Sequence, residues 1–155
     1  MEKRFAFTKE ILSQGRVLRL DGAMGTQIQG FALAESDFRA GLGLEPSRDV
    51  KGDNECLNLS RPDVIRSIHQ AYVEAGADII ETNSFGANAI VQEDYGLAAL
   101  SPEMAFAAAR LAREVADAAP RKVWVAGSMG PGSKSLSLVS DYFRPEWRPC
   151  MYHSF

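Results

Sequence analysis

Apolar positions along this chain fall into two spacings. Short unbroken runs at residues 17–20, 55–59, 78–81 and 122–126 predict four strands buried on both faces, the second shorter and weaker than the others. Between the second and third, Val64, Ile65, Ile68, Tyr72 and Val73 recur at helical spacing. Ser60 is the expected N-cap of that helix, Pro62 lies in its first turn, Asp63 suits its dipole, and Gly76 is placed to end it. A second helix opens at Ser101-Pro102-Glu103, turns Phe106, Ala109, Leu111 and Val115 to its apolar side, and stops before Pro120. A shorter helical piece is expected over residues 88–93, broken near Tyr95-Gly96. Residues 31–53, rich in Gly and charge, read as a long surface loop. There is no internal repeat and no low-complexity stretch.

Strand alternating with helix predicts an α/β fold with a parallel sheet and right-handed crossovers. Polar chemistry then collects after each strand. Asp21-Gly22 follows the first, Asn58 and Ser60 the second, Glu81-Thr82-Asn83-Ser84 the third, and Gly127-Ser128-Met129-Gly130-Pro131 the fourth. Ligands bind at that end in barrels and open α/β sheets alike. The first junction suits a small zwitterion. Asp21 offers a carboxylate to an ammonium group, and N–H groups at Gly22, Ala23 and Met24 are free for an anion if a helix starts there. A strand-end Asp-Gly is also an ordinary turn, so its meaning depends on the other strand ends.

Glu81 ends an apolar run, where a carboxylate is partly buried and needs a partner, either a backbone or basic group or a ligand. Asn83 and Asn54 can donate and accept, although Asn54 reads better as a turn residue. Cys56 reads as a small core residue and His69 as a helix-packing one. The glycine turn at 127–131 lacks the Lys-Ser/Thr ending of a phosphate loop.

Composition narrows the classes. At 155 residues, 46% hydrophobic and 24% charged, the chain fits one soluble domain. A net charge of −3 without a Lys/Arg cluster argues against a nucleic-acid partner. No apolar run approaches the ~20 residues of a membrane span, and the N-terminus lacks a signal-peptide pattern. Cys56 and Cys150 stand far apart in no metal-binding spacing, which fits a reducing cytoplasm.

Four segments carry a resemblance. They are Leu20-Asp-Gly-Ala-Met-Gly-Thr-Gln-Ile-Gln29, Lys51-Gly-Asp-Asn-Glu-Cys-Leu-Asn-Leu-Ser-Arg-Pro-Asp-Val-Ile65, Ala75-Gly-Ala-Asp-Ile-Ile-Glu-Thr-Asn-Ser-Phe85 and Val125-Ala-Gly-Ser-Met-Gly-Pro131. In this order they resemble the homocysteine S-methyltransferase domain, most closely the N-terminal module of cobalamin-dependent methionine synthase, over about residues 12 to 148. Related betaine and S-methylmethionine enzymes share parts of the pattern. The wording of residues 78–85 and of Gly130-Pro-Gly-Ser-Lys-Ser-Leu-Ser137 fits methionine synthase better.

The resemblance implies a parallel (β/α)8 TIM barrel, of which this chain would hold a truncated half of about four strands. It implies homocysteine bound at the C-terminal rim, with Asp21 holding the amino group, N–H groups at Gly22 and Ala23 the carboxylate, and Glu81 and Asn83 lining the rim. It also implies zinc on three cysteines, which stabilises the substrate thiolate for attack on a methyl group. In methionine synthase that methyl comes from methylcobalamin, recharged from methyltetrahydrofolate by other modules. Neither cysteine here matches a ligand position, and a full barrel needs roughly 250 residues. The expectation is therefore a cytoplasmic, substrate-binding part of a methyltransferase, inactive alone. Residues 1–148 would form the barrel part and 149–155 an atypical tail, as a frameshift or truncated gene produces. Two further readings are a non-catalytic half-barrel assembly protein and an unrelated phosphate-binding enzyme.

Overall fold

The computed structural model describes residues 17–43 and 48–133, with Ser13 and Gly15. From residue 17 on, the described residues form, in order, α1 (Met24–Gly30), α2 (Glu35–Arg39), α3 (Leu57–Ser60), α4 (Pro62–Glu74), β1 (Ile79–Glu81), α5 (Ala89–Tyr95), α6 (Ser101–Ala118) and β2 (Trp124–Ala126). Short 3-10 turns occupy Asn54–Cys56 and Ala98–Leu100. The atypical tail, Cys150 and the Lys134-to-Ser137 part of the resemblance lie outside the described residues.

β1 is the centre of the sheet. It pairs in parallel with β2, Ile79 opposite Trp124 and Glu81 opposite Ala126, and its other side bridges Leu20 in parallel. Ile79 N–H donates to the Arg19 carbonyl and Asp21 N–H to the Ile79 carbonyl, so residues 19–21 run beside β1 although only Leu20 forms a bridge. Asp78 secures this order: its carboxylate accepts from Arg19 N–H at 3.0 Å and lies 3.7 Å from Arg121, whose guanidinium also donates to the Val73 and Ala77 carbonyls.

The expected strand at 55–59 is not one. These residues form the Asn54–Cys56 turn and α3. A short apolar run does not distinguish a strand from a buried helical turn. Both sides of β1 are taken by Leu20 and β2, and Cys56 and Leu57 are instead fully buried in a helical core. The described residues thus show three parallel strand positions, not four.

α4 buries Val64, Ile65, Ile68 and Val73, as its spacing predicts. Its N-cap is Arg61, not Ser60, because Ser60 already ends α3 and turns its hydroxyl back to the Cys56 carbonyl. Arg61 pairs with both Asp63 and Asp37. Gly76 follows the helix at φ +98°, a conformation that strains other residues. α6 buries Met104, Ala107, Ala108, Leu111 and Val115, whereas Phe106 is 69% exposed and Ala109 also faces out. Leu111 and Val115 set the buried face, and positions 106 and 109 fall on its opposite side.

α5 begins one residue later than expected, with Asn88 as its cap accepting from Val91 N–H, and ends at left-handed Gly96. Residues 31–53 are not a plain surface loop. α2 lies within them, and Phe38, Val50 and Asp53 are buried. Phe38 and Val50 join α1, α3, α4 and α6 in one core, while a second core of Ala77, Ile80, Ala112, Ala116 and Val123 seats the sheet on α4 and α6.

Candidate functional site

The segments after Leu20, β1 and β2 meet at the C-terminal end of the sheet around a cleft of about 300 Å³. Asp21, Gly22, Ala23 and Met24 form one side, Glu81, Thr82 and Asn83 the floor, and Phe85 and Ser128 the other side. The structure therefore brings together all five residues singled out from the sequence: Asp21, Gly22, Ala23, Glu81 and Asn83.

Asp21 is half-buried, and its Oδ2 accepts from Glu81 N–H at 2.9 Å. Partial burial pushes its carboxyl above the ordinary value, the Glu81 N–H opposes that, and the Glu81 charge reinforces it. No cation pairs with Asp21 among the described residues. Two carboxylates thus face a cleft without a counter-charge among the described residues, an arrangement that favours an incoming cation.

Ala23 precedes α1, which starts without a side-chain cap. The first-turn N–H groups of a helix have no internal acceptors. Gly22 allows a close approach: a Cβ there would stand 2.9 Å from the Tyr72 hydroxyl, which itself reaches the Ala23 carbonyl at 3.4 Å. α4 thereby supports the Asp21-Gly22 turn from behind.

Asn83 lines the cleft with its amide already engaged. Its Nδ2 donates to the Asn54 carbonyl at 2.7 Å and lies 3.3 Å from Asn58 Oδ1, while Asn58 Nδ2 returns a bond to the Asn83 carbonyl. This exchange anchors the rim to the 54–60 segment. Asn54 acts through its carbonyl, in keeping with a turn role.

Thr82, Ser84 and Ser128 were legible only as polar strand ends. Ser128 N–H donates to Thr82 Oγ1, Ser84 Oγ donates to the Ser128 carbonyl, and the Thr82 and Ser84 hydroxyls lie 2.6 Å apart. They bind the β2 exit to the β1 exit. Gly130 N–H donates to the Phe85 carbonyl, and a Cβ at Gly130 would stand 2.6 Å from the Phe85 ring. This glycine turn packs on Phe85.

Zinc finds no ligand set here. Among the described residues no group of three His, Cys, Asp or Glu could hold a metal ion. Cys56 is buried with its thiol directed to the Asp53 and Phe38 carbonyls at 3.1 and 3.4 Å, and burial pushes it well above the usual thiol range. His69 is fully buried on α4, a packing position. No helix among the described residues is long and apolar enough to cross a membrane.

Residues 18–151 match the family model described as homocysteine S-methyltransferase. Two solved structures are similar, both of the homocysteine methyltransferase MmuM from Escherichia coli. The metallated form is 26% identical with a TM-score of 0.61, and the match covers 79% of this chain and 41% of that one. The oxidized form is 27% identical with a TM-score of 0.62, covering 79% and 40%. This chain thus spans about two-fifths of the length of those proteins.

Proposed function

The chain belongs to the homocysteine S-methyltransferase family, and from that premise we propose that its cleft is the amino-acid-holding wall of a homocysteine site. Asp21 takes the substrate ammonium, with Glu81 adding negative charge. The backbone N–H groups at Gly22 and Ala23 take the carboxylate, and Asn83 keeps the rim in place. The observation that carries this reading is the half-buried Asp21, without a basic partner among the described residues, beside the uncapped start of α1. A cationic and an anionic group separated by one carbon match that pair of charges.

These residues bind and orient; they do not supply a thiolate-stabilising metal set. The chain is accordingly proposed to bind homocysteine without turning it over alone. The methyl donor proposed is methylcobalamin, delivered with methyltetrahydrofolate by further methionine synthase modules, on the wording of residues 78–85 and 130–137. An S-methylated amino acid or betaine is the alternative donor.

Calorimetry with L-homocysteine tests the binding claim. Asp21→Ala is expected to weaken binding by about 1.5–3 kcal/mol, the range for a hydrogen bond to a charged group. An unchanged dissociation constant removes Asp21 from the site. Methionine formed by the chain itself, from methylcobalamin or from S-methylmethionine, would overturn the binding-only claim and identify the donor.

A further inference from the structure

Behind the rim lies a cluster that the binding role does not use. Asp53 is 1% exposed and Gln92 is fully buried. Gln92 Nε2 donates to Asp53 Oδ1 at 2.9 Å and to the Gly86 carbonyl at 3.1 Å. Glu55 Oε1 accepts from Gly86 N–H at 2.9 Å, and the Glu55 carboxyl lies in hydrogen-bonding reach of Asp53. Gly86 is held on both its N–H and its carbonyl. A Cβ there would sit 3.1 Å from Glu55 Oε2, so any side chain would push the Glu55 carboxylate from its place.

Two acceptors in this cluster are orphaned. Asp53 Oδ2 and Gln92 Oε1 are buried without a partner among the described residues. Two neighbouring carboxylates and an amide oxygen supply acceptors only, and burial makes that costly unless one carboxyl keeps its proton.

We propose that Asp53, Glu55 and Gln92 form a latch, closed by one proton shared between the two carboxyls, that positions residues 84–87 and with them the Asn83 and Phe85 side of the cleft. The other external anchors of the turn sit at Ser84, bonded to the Ser128 carbonyl, and at Phe85, whose carbonyl accepts from Gly130 N–H. At Gly86 itself only the latch reaches out of the turn among the described residues, since Ala87 N–H to the Ser84 carbonyl and Asn88 N–H to the Gly86 carbonyl are local. When the proton leaves, two negative charges stand side by side, Asp53 buried and Glu55 half-buried, and the contact that releases this repulsion most readily is the Glu55 bond to Gly86.

Among the described residues no basic side chain pairs with Asp53. Cys56 and Tyr95 face it, and burial raises both, with the acid charges adding to the effect. Glu35 on α2 is occupied by the Val50 and Lys51 N–H groups, and Arg48 donates to the Glu93 and Asp94 carbonyls. The buried residues of α6 (Ser101, Met104, Ala107, Ala108 and Leu111 among them) carry no charge. Burial pushes Asp53 up to about 7, opposed by the Gln92 bond and reinforced by Glu55. A folded-state value above the unfolded one gives stability that is present at low pH and lost as pH rises through the folded value.

Hydrogen exchange at the Gly86 N–H, corrected for intrinsic rates, reads the latch directly. Protection in the unaltered chain is expected to fall by about tenfold per pH unit from the ordinary carboxylate range up to about pH 7 and to level off above it, one proton being released per opening while the closed latch holds it. Asp53→Asn supplies a permanent donor to Glu55 and keeps an acceptor for Gln92, so its profile should be flat. Glu55→Gln supplies the donor from the other side and should also be flat, which guards against one variant failing to fold. A flat profile in the unaltered chain, or an unchanged slope in both variants, would overturn the latch.

The consequence for the cleft rests on the homocysteine reading. L-homocysteine affinity should follow the same pH profile in the unaltered chain and lose it in the variants. Affinity indifferent to pH while exchange responds would overturn the positioning claim. If homocysteine binds at no pH, the binding reading fails, and the exchange profile alone decides the latch.

Discussion

His69 shows how a single side chain sets a pH limit on this protein. It is fully buried, and neither ring nitrogen has a protein partner among the described residues. Burial lowers it to about 4, so it folds neutral. The unfolded chain takes up the proton near pH 6.5 and the folded chain resists it until about pH 4. Stability contributed by this neutral burial is present above that window and lost as pH falls through it, by roughly 3 kcal/mol at most. The difference in urea-unfolding stability between the unaltered chain and His69→Leu should shift against the unaltered chain as pH falls from about 7 to about 4; a difference that does not change with pH would contradict the assignment. Asp53 has the opposite sign, so the two groups partly cancel in the unaltered chain. The sequence marked His69 as a packing residue from its helical position, but only the surrounding core makes it unpartnered.

At the scale of elements, local signals were reliable where they were chemical and less so where they were merely apolar. Pro62, Gly76, Asn88 and Gly96 mark their helix ends because each acts through its own ring, backbone freedom or side-chain oxygen. The apolar run at 55–59 carried no such mark, and the packing around it chose a helical turn. Phe106 was assigned to the core on spacing alone and lies outside, since the register of α6 is set by Met104, Leu111 and Val115. Asn88 offers a test of the first kind. Asn88→Ala removes the bond to Val91 N–H at 3.0 Å and should cost about 1 kcal/mol of stability, with faster amide exchange in the first turn of α5. Unchanged exchange at Val91 would show that the cap contributes nothing.

At the scale of the whole molecule, the described residues form two cores joined through α4 and α6, with a narrow sheet whose strand ends build the cleft. Val17 and Leu20 are exposed at the edge of the sheet formed by the Leu20 bridge, beside which no further strand lies among the described residues. Unpaired sheet edges with exposed apolar side chains favour association. Sedimentation should therefore show an average mass that rises with concentration and rises less in Leu20→Lys. A concentration-independent monomer would count against the half-barrel assembly reading as well as this expectation. By itself the sequence determined the alternation of strand and helix, the strand-end position of Asp21, Glu81 and Asn83, and the family, because motifs and periodicity are local and ordered along the chain. Only the tertiary structure decided that β1 is flanked by residues 19–21 and β2, that residues 54–60 are helical, and that Asn83 is anchored to Asn54 and Asn58. It alone brought Asp53, Glu55 and Gln92 around Gly86. These are pairings across 25 to 60 positions of sequence, and their energies come from burial and neighbours that no local pattern records.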